Sequence, residues 1–268
     1  MLKWYGIVGL VIIALVEVNF ALKIEPFASW YFPIVWFGYI LFVDALIRQL
    51  GKKSLMQKPK HFLALIILSA AFWWIFEFIN GSIRNWSYAN VVEPEWLGNI
   101  FGTISFSTVL PAVFETYYLL RAVHIFDHFR LKKPHKITKP ELSLMFLLGM
   151  FCLIAPIVWP KYFFPLVWLS FFFLLDPINY LEGRPSIIKH LKDRRLTIPL
   201  ALFAAGIVCG ILWEFWNFWA IPKWHYDVPF VGVFKIFEMP MLGYLGYGPF
   251  AWELYAMYNF VFGFRQQK

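Results

Sequence analysis

The chain has 268 residues, 60% of them hydrophobic, 22% aromatic and only 15% charged. A soluble domain carries about 25% charged residues, and the long apolar runs here are too numerous for a soluble core, so the composition excludes that class in favour of a polytopic membrane protein. The net charge of +8 does not point to nucleic acid, because the basic residues lie in short connections between apolar runs, where they act as topology signals.

In chain order, eight spans of about twenty residues each are expected, near 4–22, 29–49, 62–82, 99–121, 141–159, 162–182, 198–219 and 239–262. Lys3 before the first run resembles the start of a signal peptide. Glu17 and Asn19 interrupt the far end of that run and no small-x-small cleavage site follows, so it is expected to remain as an anchor. Segments 48–61, 121–139 and 184–195 hold five, six and five Lys or Arg, and the chain ends add three. The alternate connections share five: Lys23, Arg84, Lys161, Lys223 and Lys235. Nineteen against five predicts both termini in the cytoplasm. Cys152 and Cys209 fall in apolar runs without a spacing motif and read as small buried residues.

The third and seventh spans carry the most informative residues. Ile75–Tyr88 reads IFEFINGSIRNWSY and Ile211–Tyr226 reads ILWEFWNFWAIPKWHY. Each has aromatic, Glu, aromatic, any residue, Asn, and then Trp-x-Tyr. Thus Glu77, Asn80, Trp86 and Tyr88 correspond to Glu214, Asn217, Trp224 and Tyr226. The correspondence extends outward. Phe32-Pro33 to Trp36 matches Phe164-Pro165 to Trp168, Asp44 matches Asp176, and Pro111 to Glu115 to Tyr117 matches Pro249 to Glu253 to Tyr255. The expected architecture is an all-α bundle forming a single membrane domain, 1–268, of two parallel four-helix repeats, 1–135 and 136–268, about a pseudo-two-fold axis along the membrane normal. Gly206-x-x-x-Gly210 and Gly98-x-x-x-Gly102 mark close helix approaches.

Acidic residues inside spans are costly and mark functional sites or locked helix contacts. Asp44 and Asp176 lie near span ends and are expected to pair or cap. Glu77, Glu214, Glu115 and Glu253 lie deeper, and each must be paired, lie in a wet cavity or stay protonated, the last being the property of a general acid. Helix rise places Glu77 and Glu214 toward the outer side and Glu115 and Glu253 toward the inner side, so the two classes are expected at different heights. Asn80 and Asn217, three residues on, share the helix face of their Glu; they are expected either to orient the carboxyl or to hold helices together. Trp-x-Tyr at each outer connection is expected to serve as an interfacial anchor or as a lid over a cavity. His124, Asp127 and His128 have a spacing compatible with metal, but read as a solvated helix end, and no metal or cofactor is expected. No diphosphate-binding acidic cluster, Gly-x-Gly-x-x-Gly or acyl-enzyme motif occurs.

Trp213-Glu214, Trp224-His-Tyr226 and Glu238-Met-Pro240, with Phe76-Glu77, Trp86-Ser-Tyr88 and Glu93-Pro94-Glu95 in the first half, resemble the membrane-integral lycopene cyclase domain family. In that family a helix ends in Trp-Asp or Trp-Glu, Trp-x-aromatic follows in a loop, and a Pro-led acidic motif opens the next helix. The family's Pro-x-Glu-Glu is replaced here by Pro240-Met-Leu-Gly243, and four spans per repeat stand where the family has about three. The resemblance implies a chemistry: a carboxylic acid in a lipid-phase pocket protonates an alkene or epoxide, and aromatic faces stabilise the carbocation. It also implies a prokaryotic cytoplasmic membrane as location. Trp213, Trp216, Trp224, Tyr226, Trp74, Trp86 and Tyr88 are the expected pocket residues, with Glu214 the favoured acid and Glu77 its partner. The expected function is a non-redox isoprenoid or carotenoid cyclase or isomerase acting on a lipophilic small molecule. The competing expectations are a transporter or channel with its site between the halves, recognisable by a continuous polar path, and a non-enzymatic membrane scaffold.

Overall fold

The computed structural model describes residues 1–133, 136–230 and 232–263. The expected repeat boundary at 135, and the basic Arg265 and Lys268, lie outside the described residues. The chain is mostly helix: α1 (Trp4–Leu22), α2 (Tyr31–Gln49), α3 (Pro59–Ile83), α4 (Glu95–Phe106), α5 (Val109–Ala122), α6 (Lys139–Val158), α7 (Pro160–Phe163), α8 (Val167–Leu181), α9 (Ile187–Lys192), α10 (Thr197–Trp219) and α11 (Tyr247–Phe262). Four short strands, β1 (Trp86–Ala89), β2 (Lys223–Tyr226), β3 (Lys235–Ile236) and β4 (Met239–Pro240), form two antiparallel pairs. The all-α expectation therefore missed two small sheets. Among the described residues seven segments are long and apolar enough to cross a membrane: α1, α2, α3, α4 with α5, α6, α7 with α8, and α10. The protein is a membrane-embedded helical bundle.

The segment expected as an eighth span differs. After β4 the chain makes a 3₁₀ turn, Met241–Gly246, before the 16-residue α11. Pro249 sits in the first turn of α11, where proline is tolerated, and it fixes the start there. Sixteen residues rise about 24 Å, short of the roughly 30 Å hydrocarbon core.

Span 4 is broken between α4 and α5. Ser69 of α3 repairs the break, donating to Phe106 O at 2.6 Å and accepting from Leu110 N at 3.0 Å. Inside a membrane freed backbone groups need such partners. In α8, Glu253 Oε1 accepts from Phe171 N at 2.7 Å and Ser170 Oγ at 3.2 Å, which ties α11 to α8.

Helix α1 packs on α2 and α6 on α8; α5 lies against α2 and α3, and α11 against α8 and α10. Contact between α10 and α5 joins the two halves of the chain. Gly206 is required by close approach, since a Cβ there would collide with the backbone carbonyl of Tyr247, and one at Gly210 would strike the Tyr247 ring. The Gly98-x-x-x-Gly102 motif makes no such helix contact: Gly98 faces the loop at Val91 and Val92.

Candidate functional site

Each Glu-x-x-Asn segment builds its own local structure. Helix α3 ends at Arg84, whose left-handed backbone (φ 54°) lets its N–H bond Asn80 O. The Asn80 side chain then takes over the emerging chain: its Oδ1 accepts from Asn85 N at 2.9 Å and Trp86 N at 3.3 Å, and its Nδ2 donates to Trp86 O at 2.9 Å. Asn217 does the same at the end of α10, accepting from Trp224 N and donating to Trp224 O, both at 2.9 Å. A side-chain amide supplies a donor and an acceptor together, so it pairs a strand residue as a neighbouring strand would. The asparagines hold the Trp-x-Tyr strands and make no bond to the carboxyls, which differs from the expected orienting role.

Alternate residues of a strand share a face. Trp86 and Tyr88 therefore both turn back to Glu77: Trp86 Nε1 donates to Glu77 Oε1 at 3.0 Å, and the Tyr88 hydroxyl bonds the same oxygen. Trp73 Nε1, one helical turn before Glu77, adds a third bond at 2.8 Å. In the second half Tyr226 OH donates to Glu214 Oε1 at 2.9 Å, and Trp224 Nε1 donates to Tyr226 OH at 2.8 Å. Tyr247 OH of α11 adds a bond to Glu214 Oε1 at 2.5 Å, while Glu214 Oε2 is buried without a partner. Burial, and then the Glu214 carboxyl, hold the Tyr226 phenol well above its usual range, so at neutral pH it keeps its proton and acts as a donor.

The two strands pair antiparallel, Trp86 with Tyr226, Ser87 with His225 and Tyr88 with Trp224. Asp227 N to Asn85 O and Asn85 Nδ2 to Asp227 O, both 2.8 Å, extend the join. The sheet roofs a cavity of about 580 Å³ whose wall takes residues from both halves. Trp73, Trp86, Trp168 and Phe250 form a cluster of mutually packed rings on it, with Trp86 and Trp168 stacked at 5.6 Å. Trp74, Tyr88, Trp213, Trp224, Tyr226 and Tyr247 also line it.

The predicted residues divide by place. Glu77 stands on the cavity wall, whereas Glu214 is fully buried behind the cavity-lining Tyr226 and Tyr247. Glu115 and Glu253 are fully buried and are not among the wall residues. Glu253 bonds α8 as described, with its Oε2 buried and unpartnered, and Glu115 is buried against Asp44. Trp216 is likewise off the wall, packed on Trp36 at 4.8 Å and bonded through Nε1 to Glu17 at 3.0 Å. Asp44 accepts from Tyr5 OH and Met56 N, tying α2 to α1 and to the turn after α2, and Asp176 accepts from the backbone N–H of Ile187 and Ile188, tying α8 to the start of α9. His124 bonds Asp127 at 2.5 Å, and among the described residues no group of three or more His, Cys, Asp or Glu is placed to hold a metal ion.

Three participants, Trp73, Trp168 and Tyr247, were not among the expected site residues. Trp73 had a signal, being four residues before Glu77 and so on its face. Trp168 had one in the repeated Phe-Pro-x-x-Trp. Tyr247 had none, since it arrives from α11, 33 residues beyond Glu214.

No protein-family model, curated protein or solved structure matches the chain.

Proposed function

We propose that this protein is a membrane-embedded enzyme that rearranges a lipophilic isoprenoid by proton transfer, as a cyclase or isomerase of the kind the lycopene cyclase resemblance implies. The supporting observation is an aromatic-walled cavity roofed by both Trp-x-Tyr strands, with Glu77 on its wall. Glu77 is the acid that reaches the substrate. Its proton goes to an alkene or epoxide, the electron pair of a second double bond closes the new bond, and the Glu77 carboxylate so formed takes a proton back from a carbon next to the cation, restoring both the acid and a neutral product. No electrons are gained or lost, so no redox cofactor enters the step. Aromatic side chains of the wall stabilise the intermediate cation, an attraction of about 2 kcal/mol where a ring face meets a desolvated cation. Glu214 acts behind Tyr226 and Tyr247, whose hydroxyls link it to the cavity.

The same reading takes the chain as two parallel four-helix repeats, 1–135 and 136–268, with α11 and its preceding turn as the last crossing and a pseudo-two-fold axis between Ser87 and His225. The matched Asn-to-Trp and Tyr-to-Glu bonds in the two halves support it.

The test is lipid extraction of cells making wild-type, Glu77→Gln or Tyr226→Phe protein, compared by mass spectrometry. General acids contribute about 10²–10⁴-fold, so Glu77→Gln should lower a wild-type-dependent product at least a hundredfold, and Tyr226→Phe should lower it less. Full product from Glu77→Gln, or ion flux as the sole activity, refutes the proposal.

A further inference from the structure

The charges around the cavity do not balance. Glu77 and Lys223 are the charged residues on its wall. Lys223 is already engaged: its Nζ lies 3.5 Å from Glu238 Oε1, 3.4 Å from Phe218 O and over the Phe218 ring. Glu238 is further bound by His225 Nδ1 at 3.1 Å. Glu77, by contrast, is bonded by two indoles and a phenol, all uncharged, and among the described residues it has no ion-pair partner. All three donors meet one oxygen, Oε1, which leaves Oε2 for whatever fills the cavity. Two of the donors, Trp73 and Trp86, belong to the ring cluster with Trp168 and Phe250.

A carboxylate on the wall of a cavity lined mainly by aromatic side chains suits a quaternary or tertiary ammonium. Hydrogen bonds from neutral donors position the carboxylate and partly replace its water; they do not neutralise it, and a cation in the cavity does. We propose that this cavity binds an amphiphilic organic cation, with its ammonium head at Glu77 Oε2 and its hydrocarbon part along the aromatic and apolar wall. The inference shares the cavity and Glu77 with the proton-transfer reading, takes Glu77 in the anionic form that proton transfer leaves behind, and does not depend on turnover. A stable ammonium would occupy the place of a transient carbocation, or be itself the natural ligand.

The experiment titrates purified protein in an uncharged maltoside detergent with benzyltrimethylammonium and, separately, with its uncharged carbon isostere neopentylbenzene. Calorimetry and tryptophan fluorescence read the binding. The ammonium should bind at least about tenfold more tightly than the isostere. In Glu77→Gln the isostere should bind as before, which reports an intact cavity, and the preference should fall below about threefold. Tyr88→Phe, which removes one donor at an exposed position, should give an intermediate preference. Equal affinities in the wild type, a preference unchanged by Glu77→Gln, or no saturable binding of either compound overturns the inference. Loss of product in Glu77→Gln without any ammonium preference sinks this inference alone; ammonium preference without any product sinks the enzymatic reading alone.

Discussion

Replacing Asn217 with alanine separates a strand-holding role from a carboxyl-orienting one. Asn217 is fully buried, and its amide is bonded to both the N–H and the C=O of Trp224. A buried backbone group left without a partner costs about 1–3 kcal/mol. Two such groups, allowing for partial relaxation and entry of water, give about 2–4 kcal/mol. That cost falls on β2 and not on the helices, because α10 keeps its backbone bonds and its packing on α11 and α5. The expected result is local: exchange of the backbone amides in 223–226 speeds up by roughly thirty- to a thousandfold, while amides in the middle of α10 are unchanged. Hydrogen exchange with mass spectrometry on the purified protein reads both regions at once. Asn80→Ala should do the same to β1. Unchanged exchange at 223–226 would refute the clamp, and uniform acceleration across α10 would show that Asn217 instead supports the whole bundle.

Gly206→Leu should destabilise the bundle by about 1–3 kcal/mol or more through overpacking, since its Cβ meets the Tyr247 carbonyl. Gly246→Leu, at a position with open space and helical backbone, should change the thermal midpoint little, and equal loss from the two would refute the close-approach argument. His190, on the short α9 outside the spans, has its pKa lowered by burial from 6.5 to about 4 and contacts Tyr255 OH at 3.3 Å. Its neutral form is the one the fold favours. The stability it contributes is therefore complete above about pH 6.5, is lost as the pH falls toward 4, and amounts to at most about 3 kcal/mol. His190→Gln should flatten the thermal midpoint between those pH values, and an unaltered acid slope would contradict this.

The spans were legible because about twenty apolar residues in a row have few other uses. Their ends were less so. Break points depend on which neighbour can satisfy freed backbone groups, and Ser69 does this from another helix. The strands were hidden for a similar reason. Trp86–Ala89 and Lys223–Tyr226 are each four residues long, too short for an alternation signal, and each is held by a side chain of the preceding helix and by the other strand, whose Tyr226 pairs with Trp86.

By itself the sequence determined the membrane class, the paired Glu-x-x-Asn and Trp-x-Tyr elements, and the grouping of each Glu with its own tyrosine. Those are local properties, carried by hydropathy and by spacings within one helix and the turn after it. Which Glu faces the cavity was decided only by the tertiary structure. Glu77 and Glu214 have nearly the same neighbours in the chain, yet Gly206 and Gly210 admit α11 close to α10, and this brings Tyr247 over Glu214. Glu77 has no tyrosine from a distant helix across it, and so remains on the wall.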